Sequence, residues 1–177
     1  MRSIIILPLA AAALLSACDS GNAPKSQEEV SQEMANLERP TPGLYKSSSR
    51  IVSFEVPGMP PAQAEKMKGM FATSDADREF CLTKAEAEKG FEEMTRKLAE
   101  GNCTYDRFKV SGGNLDAKLT CETGKDMKSL IEMKGTMSSE GSKMTMAVNQ
   151  SVPGGTDGSV KIVAEVASQR IGDCPGA

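Results

Sequence analysis

The spacing of apolar residues divides the chain into three regimes. An unbroken apolar run from Ile4 to Leu15 comes first, helical stripes and short strands follow as far as Leu98, and from Cys103 onward apolar and polar residues alternate. Alternation with a period of two sends successive side chains to opposite faces of a strand, so the C-terminal part predicts a sheet buried on one side. Cys103 to Val110 and Leu115 to Glu122 flank Ser111-Gly112-Gly113-Asn114, a hairpin turn in which glycines reach positive φ without steric cost. On the second of these strands Leu115, Ala117, Leu119 and Cys121 face inward. On the first, Phe108 and Val110 share one parity, and Cys103 and Tyr105 the other. Both sets point inward only if an extra residue is inserted, which predicts a β-bulge near Asp106-Arg107 and places Cys103 opposite Cys121. Three further strands carry Met127, Ile131, Met133 and Met137; then Met144, Met146, Val148 and Val152; then Val160, Ile162, Ala164 and Val166.

Upstream the pattern is mixed. Gly43 to Val56 predicts a strand with Val52, Phe54 and Val56 on one face. Pro60 and Pro61 open a short helix, since a first turn needs no amide donors, and Ala64, Met67, Met70 and Phe71 form its stripe as far as Thr73. Arg78 to Leu82 is a short strand. Thr83-x-x-Glu86 is a capping box, and Ala87, Phe91, Met94 and Leu98 follow at helical spacing, predicting a helix over Lys84 to Glu100 that stops at Gly101. A second capping box, Ser26-x-x-Glu29, precedes Val30, Met34 and Leu37. That stretch predicts a short helix over Gln27 to Glu38, docked or free, and because it lies within a polar, proline-bearing segment the favoured reading is the weakly helical part of a linker. The expected fold is α+β: one domain over residues 43–177, a curved, mostly antiparallel sheet or half-barrel of about seven strands, with two packed helices and two disulfides.

The N-terminus sets the expected compartment. Arg2, the apolar run and the small residues Ser16-Ala17 have the organisation of a signal peptide over residues 1–17, and the run is too short to cross a bilayer. Leu15-Ser16-Ala17-Cys18 resembles the lipobox of bacterial lipoproteins, in which the cysteine is acylated and becomes the first residue. The reading is a lipidated Cys18, a flexible tether over residues 18–42, and a domain held at the membrane facing the periplasm. Asp19 resembles the signal that retains some lipoproteins in the inner membrane.

Composition then excludes functions. The chain has a net charge of −3 and no dense basic patch, which argues against nucleic acid as partner. It has no histidine, which removes the usual Ser-His-Asp and Cys-His machinery. No catalytic constellation and no cofactor motif is present, so the expectation is a protein that is not an enzyme. Setting Cys18 aside leaves Cys81, Cys103, Cys121 and Cys174, an even number that reads as two disulfides in an exported chain. Zinc is disfavoured because no C-x-x-C pair exists. A Cys103–Cys121 bridge would close the hairpin and leave Cys81 and Cys174 to join an early strand to the last one, although four cysteines permit three pairings. The 11 methionines are the unusual feature of the composition. Thioethers suit Cu(I), which makes Met133, Met144 and Met146 a candidate copper site, but inward strand positions suit methionine equally as a filler of irregular core space. A ligand cavity lined by Phe54, Met127, Met133, Met144, Met146 and Ile162 is the leading functional reading, with an apolar or amphiphilic molecule as occupant. The alternative is a module that binds or inhibits an envelope protein through the loop Pro153 to Gly158.

Several short motifs carry a resemblance. Pro42-Gly43-Leu44-Tyr45, Val56-Pro57-Gly58-Met59-Pro60-Pro61, Cys81-Leu82-Thr83, Cys103-Thr104-Tyr105-Asp106 with Gly112-Gly113, and Arg170-Ile171-Gly172-Asp173-Cys174 together resemble the bacterial family called domain of unknown function 3617. The resemblance implies a secreted or lipid-anchored envelope protein and brings no catalytic residue. Tyr45 stands where the family pattern has tryptophan.

Overall fold

The computed structural model describes residues 24–71, 77–91, 95–96, 100–124, 127–151 and 159–176. Seven strands, β1 (Gly43–Glu55), β2 (Arg78–Leu82), β3 (Cys103–Ser111), β4 (Asn114–Gly124), β5 (Met127–Ser138), β6 (Gly141–Ser151) and β7 (Ser159–Gly172), form one open antiparallel sheet in the order β2-β1-β7-β6-β5-β4-β3. Strands β3 to β7 run as a meander, each beside the next, because alternating segments joined by short turns pair locally. β1 then closes against β7, and β2 lies outside β1 as one edge. Three helices are present among the described residues: α1 (Gln27–Ala35), α2 (Pro61–Phe71) and α3 (Lys84–Lys89).

The β3–β4 hairpin forms as its pattern requires. Gly112 and Gly113 take φ of 55° and 77°, and the register shifts between Tyr105 and Arg107, leaving Asp106 as the bulge residue. Asp106 accepts a hydrogen bond from the Thr120 hydroxyl at 2.8 Å. The shift brings Cys103 opposite Cys121, with Cα atoms 4.0 Å apart, and the two are disulfide-bonded. The second disulfide joins Cys81 of β2 to Cys174 beyond β7, with Cα atoms 5.5 Å apart. At Gly135 the sheet is drawn in so closely that a Cβ would lie 2.1 Å from the Lys143 carbonyl oxygen and 2.7 Å from Met144 Cα.

Directly opposed residues in an antiparallel sheet project to the same face, so the register maps one apolar face across the molecule. It runs Phe108, Ala117, Met133, Met146, Ala164 and Ile51 from β3 to β1, with a parallel row through Tyr105, Leu119, Ile131, Val148, Ile162 and Phe54. The β3–β5 half of this face is the core: Phe108, Ala117 and Leu119 are at most 1% exposed. Residues on the β6–β7–β1 half, including Met146, Val148, Ile162 and Ala164, are only half-buried.

Three expectations are corrected. The stretch read as a linker is docked: Val30, Met34 and Leu37 are buried in the same cluster as Tyr105, Phe108, Val110 and Leu119. The capping box of Ser26 and Glu29 starts this helix, and tertiary contact supplies what a three-residue stripe cannot. The sheet therefore carries a third helix. The helix expected over Lys84 to Glu100 ends at Lys89, where Gly90 takes φ of 57° and caps it; Thr95, Arg96 and Glu100 are again helical. Val52, expected inward, is 41% exposed because it is the extra residue where the β1–β7 register shifts between Ile51 and Ser53. The loop Pro153 to Gly158 and Val152 lie outside the described residues.

Candidate functional site

α1 is fixed to the exposed edge of β3 by backbone chemistry as well as by packing. A free strand edge presents unpaired amides and carbonyls, and this one is covered at two points. The Lys25 amide donates to the Tyr105 carbonyl at 2.8 Å, and Glu33 accepts from the Val110 amide at 3.0 Å. Glu33 also binds the Lys25 ammonium at 2.7 Å. That ammonium, followed by the Val110 amide, holds the Glu33 carboxyl below the usual carboxylate range against the opposing effect of burial.

Once α1 is seated, it and the chain around Gly90 enclose a half-open groove of about 380 Å³. Its apolar surface is provided by Met34 and Leu37 of α1's stripe and by Phe91, which packs on the edge of the core. Gly90 shapes the groove: the bend at its positive φ carries the chain away from α3's axis, and the Arg39 stem passes 3.8 Å from where its Cβ would be. Three cations, Arg39, Lys89 and Arg96, stand at the rim with Gln27, Ser31 and Thr95. Arg96 is paired with Glu100. Arg39 and Lys89 are exposed and have no ion-pair partner among the described residues. The volume falls within the roughly 300–1,000 Å³ of small-molecule sites, and the lining mixes the apolar Met34, Leu37 and Phe91 with polar side chains and three cations.

The residues singled out from the sequence lie elsewhere. Cys18 is outside the described residues. Phe54, buried, faces Ile162, and Met133 faces Met146, with Met144 opposite Gly135, all on the core face of the sheet; Met127 begins β5. None of these six lines the groove. Met133 and Met144 pack against the buried cluster, the filler role open to them from the outset. The groove draws on α1 and on Gly90, Phe91, Thr95 and Arg96, about sixty positions apart in sequence. The signal that could have pointed to it is the Met34-Leu37 stripe followed by Arg39. Among the described residues no three of His, Cys, Asp or Glu gather as metal ligands, and no helix is long and apolar enough to cross a membrane.

At the other end of the sheet, Tyr45 is 3% exposed and stacks on Phe80 with ring centroids 5.6 Å apart. Its hydroxyl lies 2.8 Å from the Thr41 carbonyl and 3.0 Å from that of Ser139, tying β1 to the β5–β6 turn. Burial raises the phenol's pKa. Arg170 Nε donates to the Pro42 carbonyl at 3.0 Å, and a Cβ on Gly43 would sit 2.5 Å from that same nitrogen.

These features define a mostly β protein: one open seven-stranded antiparallel sheet, three helices and two disulfides. Residues 40–174 match the family described as Protein of unknown function (DUF3617), and the chain belongs to it. No curated protein and no solved structure matches the chain. Pro42, Gly43, Tyr45, Cys81, Arg170 and Cys174, which carried the resemblance, meet at one end of the sheet as backbone clamps and a disulfide. Their roles here are structural. Val30, Met34 and Leu37 of the core precede the matched stretch.

Proposed function

We propose that this protein is a lipid-anchored, non-enzymatic binding protein of the bacterial cell envelope, and that it holds an amphiphile with an apolar body and an anionic head in the groove that α1 forms with Gly90, Phe91, Thr95 and Arg96. The observation that carries the reading is the union of Met34, Leu37 and Phe91 in the groove's lining with Arg39 and Lys89, which have no salt bridge among the described residues. The apolar part gains from leaving water, at about 25 cal/mol per Å² buried, and the rim charges attract the head and fix its direction. The lipobox-like Leu15-Ser16-Ala17-Cys18 and the two disulfides support an exported, anchored chain. Two or more acyl chains on Cys18 would hold the domain stably, at about 0.8 kcal/mol per buried methylene.

Native mass spectrometry of the protein purified from its own envelope tests the binding half of this reading. A co-purifying anionic amphiphile that is lost from an Arg39→Glu, Lys89→Glu variant supports it. A ligand-free protein, or a retained ligand in that variant, contradicts it. Replacing Cys18 by serine tests the anchor: the variant should leave the membrane fraction and remain folded.

A further inference from the structure

The sheet's other face carries a second cluster of charge. Register places Lys134, Thr145, Glu165 and Arg50 in one row across β5, β6, β7 and β1, with Thr136, Lys143, Ala167 and Ser48 in the next. The short residues of the two rows leave a half-open recess of about 540 Å³, and Arg50, Lys134 and Lys143 stand around it. All three cations are exposed and have no ion-pair partner among the described residues. Three carboxylates share this face, and one of them, Glu132, stands two residues before Lys134 on β5, opposite Lys118. Glu165 lies directly opposite Arg50, and Asp116 lies opposite Lys134 but is held by Arg107 at 2.8 and 3.1 Å. Lys143 faces only Thr136 and Ala167. Like charges gathered on one sheet face repel, and with Glu165 the one carboxylate among the described lining residues the three cations leave the recess a net positive charge, in a chain whose own net charge is −3.

We propose that this recess is a second binding site, for a phosphate group, with Lys134, Lys143 and Arg50 as the charge and the hydroxyls of Ser48, Thr136 and Thr145 as hydrogen-bond donors. The phosphate is either that of a lipid headgroup or a free ion. The site uses none of the groove's residues and stands whatever the groove holds.

Titration of the folded protein followed by amide chemical shifts tests it, with inorganic phosphate in one arm and monomeric dihexanoyl-phosphatidylglycerol in the other. Saturable shifts at Lys143, Thr145 and Ala167 with the lipid alone identify a headgroup site; the same shifts with phosphate identify a site for the free ion. In either case Lys134→Ala, Lys143→Ala weakens binding about tenfold or more, and added salt weakens the wild type. Both lysines point to solvent, so the variant keeps its fold; Lys143→Gln alone provides a milder second variant with a smaller loss. Absence of saturable shifts in both arms, or equal binding by the double variant, overturns the proposal.

Discussion

Removing residues 24–39 tests whether α1 is part of the domain or a passenger on its tether. Val30, Met34 and Leu37 are 0%, 4% and 5% exposed, and full burial of such side chains contributes roughly 1.5–3 kcal/mol each, or about 5–9 kcal/mol together. A denatured chain that is already partly compact lowers that figure by roughly 10–40%. Deletion also bares Phe108, Val110 and Leu119 and strips the Val110 amide and Tyr105 carbonyl of their partners. Total stabilities run at about 5–15 kcal/mol, so a protein beginning at Pro40 should lose most or all of its cooperative transition. Urea denaturation followed by circular dichroism measures it, and Met34→Ala in the intact chain should give a graded loss of about 2–5 kcal/mol. A tether would behave differently: deletion would leave both midpoint and slope unchanged, and that result would refute the docked helix even though the deleted residues precede the family match.

Other consequences are equally specific. Because the Glu33 carboxyl has a depressed pKa in the folded state, it contributes stability that is present above the unfolded value near 4.3 and is lost as pH falls through the folded one; wild type should therefore exceed Glu33→Gln at pH 7 and lose that advantage as the pH is lowered through the folded value, as urea midpoints taken down the pH scale will show. Gly135→Ala forces a Cβ against the β6 backbone and should cost about 1–3 kcal/mol or more in the same assay, whereas an unchanged midpoint would mean that β5 and β6 are not so closely apposed. The Tyr105 hydroxyl is buried with no hydrogen-bond partner among the described residues, and burial raises its pKa, so Tyr105→Phe should be neutral or stabilising by up to about 1 kcal/mol; a loss beyond that would reveal a partner for the hydroxyl.

Much of the sheet was readable before any coordinates. Alternation located β1 and β3 to β7, and the clash of parity between Cys103-Tyr105 and Phe108-Val110 required the bulge found at Asp106. From that bulge the Cys103–Cys121 pairing followed, and the remaining pair anticipated that an early strand would meet the end of β7. What escaped the sequence depended on tertiary context. Three apolar residues on a short polar helix suit a docked element and a weak linker helix equally, and only the uncovered edge of β3 decides between them. Gly90, inside an otherwise helical pattern, is tolerable in a helix at a cost of about 1 kcal/mol, so the pattern carried past it to Gly101. Val52 left the core face through a bulge marked by the opposite parities of Tyr45 and Ile51 on one side and Phe54 on the other, which the Val52-Phe54-Val56 reading passed over. The groove was hidden for the same reasons, since it requires α1 docked and the chain turned at Gly90.

The central claim is tested most directly by titrating monomeric dodecanoate into the folded protein and following amide shifts and stoichiometry. One molecule should bind, with shifts centred on Met34, Leu37, Gly90 and Phe91, and Arg39→Glu, Lys89→Glu should weaken it about tenfold or more. Dodecanol, with the same chain and no charge, should bind less tightly than dodecanoate to the wild type and lose little in the variant. Shifts mapping to another surface, or dodecanoate binding unchanged in the variant, would contradict the account.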